Sequence, residues 1–441
     1  MIYRKELWSA MTFLLILVMK NLYDAVIIGA GPAGLMAAGH IAKDGHKVCI
    51  LEKNDKSGKK LRITGKGRCN ITNNRPKNEF IQAYGKNGKF LYSAFSVFFR
   101  DELLDFFQNT LNINVTEERG GRIFPQSQNA HEIADNLTSW VISQGVEIFY
   151  EHRCISLDKS QKELLTIQVS HENKPYEFHT KTVLLATGGM SYPGTGSTGD
   201  GYTIARNLGH NIMSPMPALV PLITRDGDIK GLTGLSIKNS LVTVLTNGKK
   251  TDQLFGEFLF THYGVSGPVI LTLSKKIVQS LNKRDQIELQ IDFKPALDEN
   301  MLDKRLVREF SEHSNKILKN ILKYIIPEAL GPVCLSQTGV SGDIPCHSIT
   351  SADRKKIGFW LKNFILPISG YRPIDEAIVT AGGISLKEVE PATMQSRIFP
   401  QVYFAGEILD LDGDTGGYNL QAAFSTGWCA AKGIITFLIQ K

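Results

Sequence analysis

Apolar runs alternate with segments of helical spacing through the first half of the chain, which predicts alternating strands and helices. Residues 25–28 are an unbroken apolar run, read as a buried strand. Gly29, Ala30, Gly31, Pro32, Ala33 and Gly34 follow as a turn, and an Ala-rich stretch predicts a helix before a second apolar run, 48–51, ends at Glu52. Residues 90–110 place Phe95, Phe98, Phe99 and Phe107 at helical spacing, an aromatic stripe that reads as core. A helix is expected over 131–143, strands over 146–150 and 154–157, and a hairpin near 171–175. Residues 182–185 form another buried strand, ending in Ala186, Thr187, Gly188 and Gly189, and a glycine-rich loop, 193–201, precedes a helix over 202–208.

The pattern then changes. Pro215, Pro217 and Pro221 punctuate a boundary, after which 236–245 and 286–293 read as antiparallel strands, with a hairpin signal at Asn247-Gly248. Charged, helix-favouring segments follow near 298–330 and 351–365. Residues 402–405 form one more buried strand, running into Gly406 and Glu407 as though completing the first sheet. The material between 186 and 402 is too long for one compact loop, so it is read as an insert. The expected organisation is an N-terminal apolar extension, 1–22; a first domain part, 23–221; an insert of β-barrel type with helices, 222–369; and a second domain part, 370–441.

The opening strand, glycine turn, helix, strand and acid form the sequence of a dinucleotide-binding unit. Gly29 permits the tight turn, Gly31 leaves room for a pyrophosphate, and Gly34 lets helix and strand pack closely. The helix N-terminus offers free N–H groups to phosphates. Glu52 lies near the roughly 20-residue offset expected of a ribose-binding acid. Six basic residues in the thirteen from Lys56 to Arg68, interleaved with glycines, suit phosphates and a reduced, anionic flavin. At the far end, Gly416 and Gly417 lead into the last helix, whose positive end is placed to stabilise the same ring.

The 441 residues and 42% hydrophobic content support a globular protein of two or three domains, and the net charge of +7 favours anionic ligands without demanding nucleic acid. Cys49, Cys69, Cys154, Cys334, Cys346 and Cys429 show no CxxC pair, which indicates reduced thiols and a cytoplasmic setting. Cys334, Cys346 and His347 lack a recognised metal-ligand spacing, and no metal is expected. The apolar run from Leu7 to Met19 is too short to span a bilayer of about 20 helical residues, no small-residue cleavage site follows, and Met19 as the true start is preferred to a membrane anchor. No stable membrane partner is expected. In LFTHYGVSGP, Ser266 is expected to cap a helix with Pro268 in its first turn; His262 is open to a structural role or to proton donation.

Taken together, GAGPAG with ILEKN, KKLRITGKGRCNITN, ATGGMSYPGTGSTGDG, LFTHYGVSGP and FAGEILDLDGDTGGYNLQAA resemble the RdsA/BaiN/aminoacetone-oxidase-like family of FAD-dependent flavoproteins, from about Tyr23 to the C-terminus. The resemblance implies an α/β fold, a glutathione-reductase-like Rossmann FAD-binding domain interrupted by an inserted β-barrel plus helical domain. It places Gly29, Gly31, Gly34 and Glu52 on the ADP half of FAD, with Pro32, Ala33, Lys53 and Cys154 in the same cofactor-binding set. Arg68, Cys69 and Asn70 are assigned near the flavin and Thr187 and Gly188 along the cofactor, with Lys60, Gly67 and Ala186 also in the cofactor-binding set. Gly406, Glu407, Asn419 and Gln421 are assigned to the ribityl and ring end, and Gly417, Leu420 and Ala422 complete the cofactor-binding set. Many FAD enzymes have Asp where Glu407 stands, so its contact differs in reach.

Members of this group reduce conjugated or uracil-like double bonds, or oxidise a small amine with oxygen. The expected activity is hydride transfer from reduced flavin to an activated C=C or C=N bond of a small-molecule substrate. Cys69 is the candidate acid, with Arg68 beside it expected to lower the thiol pKa. No second GxGxxG is present, so NAD(P)H is expected as a transient electron donor, or an electron-donating reductase as partner. The alternatives are an oxygen-dependent amine oxidase, reduction of a uracil base in ribosomal RNA, and a flavin-binding regulator without turnover.

Overall fold

The computed structural model describes residues 22–159, 164–225, 229 and 231–440. The expectations for Leu7 to Met19, and for Met19 as a start, lie outside these residues.

Strand Leu22–Ile28 lies between Val48–Leu51 and the second half of Lys174–Leu185, parallel to both. Glu147–Phe149 extends the sheet beside Val48–Leu51, and Val402–Phe404 pairs in parallel with Val183 to Leu185. The registers Phe149 with Leu51, Leu51 with Ile28, Ile28 with Leu185 and Leu185 with Phe404 end five parallel strands in one row. These strands are continuous apolar runs because both faces of a parallel sheet are covered; all residues of Val48–Leu51 and Val402–Phe404 are buried. Ligands bind beyond this carboxyl edge in open α/β sheets. The hairpin after Leu165–His171 pairs it antiparallel with the first half of Lys174–Leu185.

Helix Pro32–Lys43 begins with Pro at its first turn and buries Leu35, Met36 and Ile41. The closing helix, Tyr418–Ile439, buries Phe424, Cys429 and Ile434 in the same core. Among the described residues it alone is long and apolar enough to cross a membrane, and its core packing accounts for that composition. The aromatic stripe is core as expected, but not one helix. Phe98 is extended (φ −148°), and Glu102 accepts from the Phe99 N–H to start a fresh turn, so helices Tyr92–Val97 and Arg100–Asp105 are separate.

The chain separates into two compact units, Pro217–Ile378 and the described residues on either side of it. These bounds lie outside the expected insert, 222–369. The exit and re-entry strands, Ile212–Ala218 and Val379–Ile384, pair with each other, which draws residues flanking the insert into regular structure. The second unit contains a closed six-stranded barrel in the order Leu222–Thr224, Gly264–Ser266, Lys249–Phe260, Ser236–Thr246, Ile287–Asp292 and Phe364–Tyr371. Its longest hairpin turns on Asn247 (φ 51°) and Gly248 (φ 74°), as their residue types suggest. Helices Glu299–Glu312, Leu330–Thr338 and Ser351–Lys362 complete the unit. The expected cap is displaced: Ser266 belongs to strand Gly264–Ser266, and Gly267 (φ 96°) caps the helix that Pro268 opens. A Cβ at Gly267 would lie 3.0 Å from the Phe258 backbone, so the tight approach fixes glycine there.

Candidate FAD-binding site

The three turn glycines meet three different surroundings. Gly29 has φ 106°, and a Cβ on it would lie 2.6 Å from the carbonyl oxygen of Ala186. A Cβ on Gly34 would lie 2.0 Å from the carbonyl oxygen of Gly29. A Cβ on Gly31 would meet no atom within 4 Å, and no side chain caps the helix that Gly31 begins. The first and third glycines are therefore demanded by the protein's own packing, whereas Gly31 borders open space at a bare helix N-terminus. That cradle fits a pyrophosphate.

Glu52 is buried. Its Oε2 accepts from the Ala30 N–H at 2.8 Å, and its Oε1 from Asn54 through the backbone N–H (2.8 Å) and the side-chain amide (2.6 Å). Next to it, Lys53 Nζ reaches Asp200 Oδ2 at 3.0 Å and Thr198 Oγ1 at 2.5 Å, and Arg153 joins Asp200 at 3.2 Å. Burial works to raise the Asp200 pKa, but Lys53, Thr198 and Arg153 outweigh it and hold the carboxyl below its ordinary value. Cys154 lies buried nearby, its thiol pushed up to about 12 by burial and then by the Asp200 charge.

The segments that follow the other strands come to the same edge. A Cβ on Gly406 would lie 3.0 Å from the Ala33 Cβ, and one on Gly427 would lie 2.4 Å from the Ala33 carbonyl oxygen. Gly406 donates its N–H to Thr426 Oγ1 at 3.0 Å. The Thr187 hydroxyl is buried without a hydrogen-bond partner, and Gly188 turns the chain at φ 73°. Lys60 extends from the first turn of Lys59–Gly67, a segment that breaks from helical geometry at Thr64, to Glu407, 2.6 Å from Oε2 and 2.9 Å from Oε1. Gly29, Gly31, Pro32, Ala33, Gly34, Glu52, Lys53, Lys60, Ala186, Thr187, Gly188, Gly406 and Glu407 thus belong to one neighbourhood at the ends of the parallel strands.

After Lys60 the chain leaves helical geometry at Thr64, and between Lys60 and Asn70 only Leu61 and Cys69 are buried. Arg68 donates to Glu118 Oε1 at 2.8 Å and Gln128 Oε1 at 2.9 Å, with its guanidinium 4.3 Å from the Phe124 ring centre. Gly67 (φ 81°) supplies the preceding turn. Cys69 is fully buried at φ 62°. Burial pushes its thiol up to about 12, against a smaller downward pull from Thr64. The expected lowering by Arg68 is therefore absent, because the guanidinium is spent on Glu118, Gln128 and Phe124. Cys69→Ala is expected to cost about 1 to 2 kcal/mol of stability, read by denaturant melting, while flavin reoxidation by substrate stays within about twofold of wild type. A loss of single-turnover reduction in a stable variant would restore the thiol as an acid.

Asn70, with its amide oriented to satisfy both ends, donates to the carbonyls of Thr72 (3.0 Å) and Ile123 (3.1 Å) and accepts from the Gly417 N–H at 3.0 Å. It thereby ties the loop to the start of the closing helix, and a Cβ on Gly417 would lie 2.5 Å from the Thr72 carbonyl oxygen. Asn419 braces the preceding turn through Gly413, at 2.8 Å in both directions. Gln421 is fully buried between Thr72 Oγ1 (2.6 Å) and Ser425 Oγ (3.0 Å), while Leu420 is partly exposed and Ala422 buried. These contacts build the floor of the closing helix. His262 belongs to the other unit, exposed in a turn with its ring against Tyr263.

Ser191, Asn54, Asp200 and Thr380 were not singled out from sequence. Ser191 had a signal in its place two residues past Gly189; Thr380 had none, since its contacts come from tertiary structure.

Residues 23–433 match the family described as HI0933-like protein Rossmann domain. The chain belongs to this family. Its relatives include 3-dehydro-bile acid delta(4,6)-reductase of Clostridium scindens, 31% identical over 92% of this chain and 97% of the relative. Ribosomal RNA dihydrouridine synthase of Haemophilus influenzae is 29% identical over 94% of this chain and 99% of the relative, and that of Escherichia coli 30% over 94% and 98%. Among solved structures, 3-ketosteroid delta1-dehydrogenase of Sterolibacterium denitrificans superposes with a TM-score of 0.52 at 15% identity, covering 95% of this chain and 100% of that one, a likeness of fold. This member of the HI0933-like family is an FAD-dependent oxidoreductase. The open space at Gly31 and the bare helix N-terminus fit that cofactor.

Proposed function

We propose that the enzyme saturates a C=C bond conjugated to a carbonyl in a small organic substrate. The observation that carries this reading is the near full-length similarity to a delta(4,6)-reductase of 3-dehydro-bile acids. FAD, when bound and reduced, supplies the hydride. The chain's part is to bind and orient it: the amides behind Gly31 and the positive end of helix Pro32–Lys43 receive phosphates, Glu52 offers a buried carboxylate for a ribose, and Glu407 closes the far end. Six free, buried cysteines support a reducing compartment, the cytoplasm.

A second reading has its own support in the two ribosomal RNA dihydrouridine synthases and the net charge of +7. Uracil also presents a C=C bond conjugated to a carbonyl, so the two readings share one chemistry and differ in what delivers the substrate.

One anaerobic experiment tests both. Protein reduced by dithionite is mixed with a 3-oxo-4,6-diene steroid or with a uridine-containing ribosomal RNA transcript, and oxidised protein with aminoacetone. Return of the oxidised-flavin absorbance with the dienone, and the saturated product, is the expected result. Reoxidation by RNA alone, weakening steeply with salt, establishes the second reading. Bleaching of the oxidised flavin by aminoacetone under argon, then reoxidation with peroxide formed from oxygen when air is admitted, and no reoxidation by dienone or RNA, overturns both. Bleaching of the oxidised flavin by NADPH under argon identifies a nicotinamide as donor; a flavin that bleaches only with an added reductase points to a protein donor.

A further inference from the structure

Lys60 has three N–H donors, and all three have acceptors within the protein. They meet Glu407 Oε1 at 2.9 Å, Glu407 Oε2 at 2.6 Å and Ser191 Oγ at 2.7 Å. None is left for a substrate. Glu407 Oε1 is also bonded by Ser191 Oγ at 3.1 Å and the Thr380 N–H at 2.9 Å, whereas Oε2 accepts only from Lys60 among the described residues. One carboxylate oxygen is therefore saturated by the protein and the other keeps capacity for a further donor.

The clamp is itself held in place. Thr380 Oγ1 accepts from the N–H groups of Met190 (2.8 Å) and Ser191 (3.0 Å), fixing the loop that carries Ser191. A Cβ on Gly189 would lie 2.4 Å from Thr380 Oγ1 and 3.1 Å from Glu407 Oε1, so glycine there keeps the clamp closed. Three segments distant from Glu407 in sequence converge on its carboxylate, and both partners of the ion pair are mostly buried, at 21% and 20% side-chain exposure.

We infer that Lys60 is a positioning residue for FAD: with Ser191 and Thr380 it fixes Glu407 in the orientation that receives a hydroxyl of the cofactor. This rests on the protein being FAD-dependent but not on the identity of its substrate, because the readout is FAD affinity.

The test titrates apoprotein with FAD, following quenching of flavin fluorescence, for wild type, Lys60→Met, Lys60→Arg, Glu407→Gln and the double variant Lys60→Met/Glu407→Gln. Lys60→Met leaves a mostly buried carboxylate without its counter-ion and is expected to raise the Kd roughly 30-fold or more. Lys60→Arg should recover part of that loss. The double variant should bind more tightly than Lys60→Met alone, since no uncompensated charge remains, so the two losses do not add. A folded Lys60→Met protein within about twofold of wild-type affinity, or losses that add in the double variant, overturns the inference. Should Lys60→Met not fold, comparing the double variant with Glu407→Gln alone decides it: equal affinity supports the clamp, and a further loss of about 30-fold contradicts it.

Discussion

Replacing Gly31 with aspartate is expected to abolish FAD retention while leaving the apoprotein at least as stable as wild type. Gly31 has φ −83° and ψ −178°, a conformation open to any residue, and a Cβ there meets nothing within 4 Å. Aspartate is among the favoured residues at a helix N-cap, and its charge suits the positive end of the helix, so stability should hold or rise by about 0.5 to 1 kcal/mol. The same carboxylate fills the space at the helix start that a pyrophosphate needs and repels its negative charge. FAD affinity should fall by about 100-fold or more, a loss of roughly 3 kcal/mol or greater. Thermal melting of the apoprotein and fluorescence titration with FAD separate the two effects. A variant that keeps its flavin would show that phosphates do not bind at this turn.

Gly34→Ala is expected to do the opposite. In an exposed helix this change gains up to about 1 kcal/mol. Here the new methyl group would lie 2.0 Å from the Gly29 carbonyl oxygen and 3.3 Å from Ile27 Cγ2. The obstacle is backbone, which cannot swing aside as a side-chain tip can, so helix Pro32–Lys43 must move away from the central strand. Overpacking of this kind costs about 1 to 3 kcal/mol and occasionally more, and this contact belongs at the upper end. The denaturant midpoint should fall even without FAD. Unchanged apoprotein stability would mean that helix and strand are not packed as described.

These two glycines also show what the sequence can disclose. Gly29 and Gly34 are needed for contacts within a short stretch of chain, and local spacing reveals them. The parallel strands were readable because strands buried on both faces must be apolar throughout, and the Asn247-Gly248 turn because its dihedral angles favour those residue types. The separate surroundings of Arg68, half-exposed, and Cys69, buried, were not readable. Adjacency suggested that the guanidinium faces the thiol, whereas Glu118, Gln128 and Phe124, far away in sequence, draw it off. Likewise Ser266 had the chemistry of a cap, but close approach of the Phe258 backbone gave that position to Gly267. Thr380 acts through its backbone N–H and a hydroxyl that any threonine carries, so only the tertiary placement of Val379–Ile384 beside Met190, Ser191 and Glu407 reveals it.

Hydrogen exchange with and without FAD tests the shared cofactor site most directly. The account predicts that bound FAD slows exchange together at three places: the amides following Gly31, the turn from Thr187 to Ser191, and the turn around Gly406 and Glu407. Slowing at the first of these alone, with the other two unchanged, would contradict it.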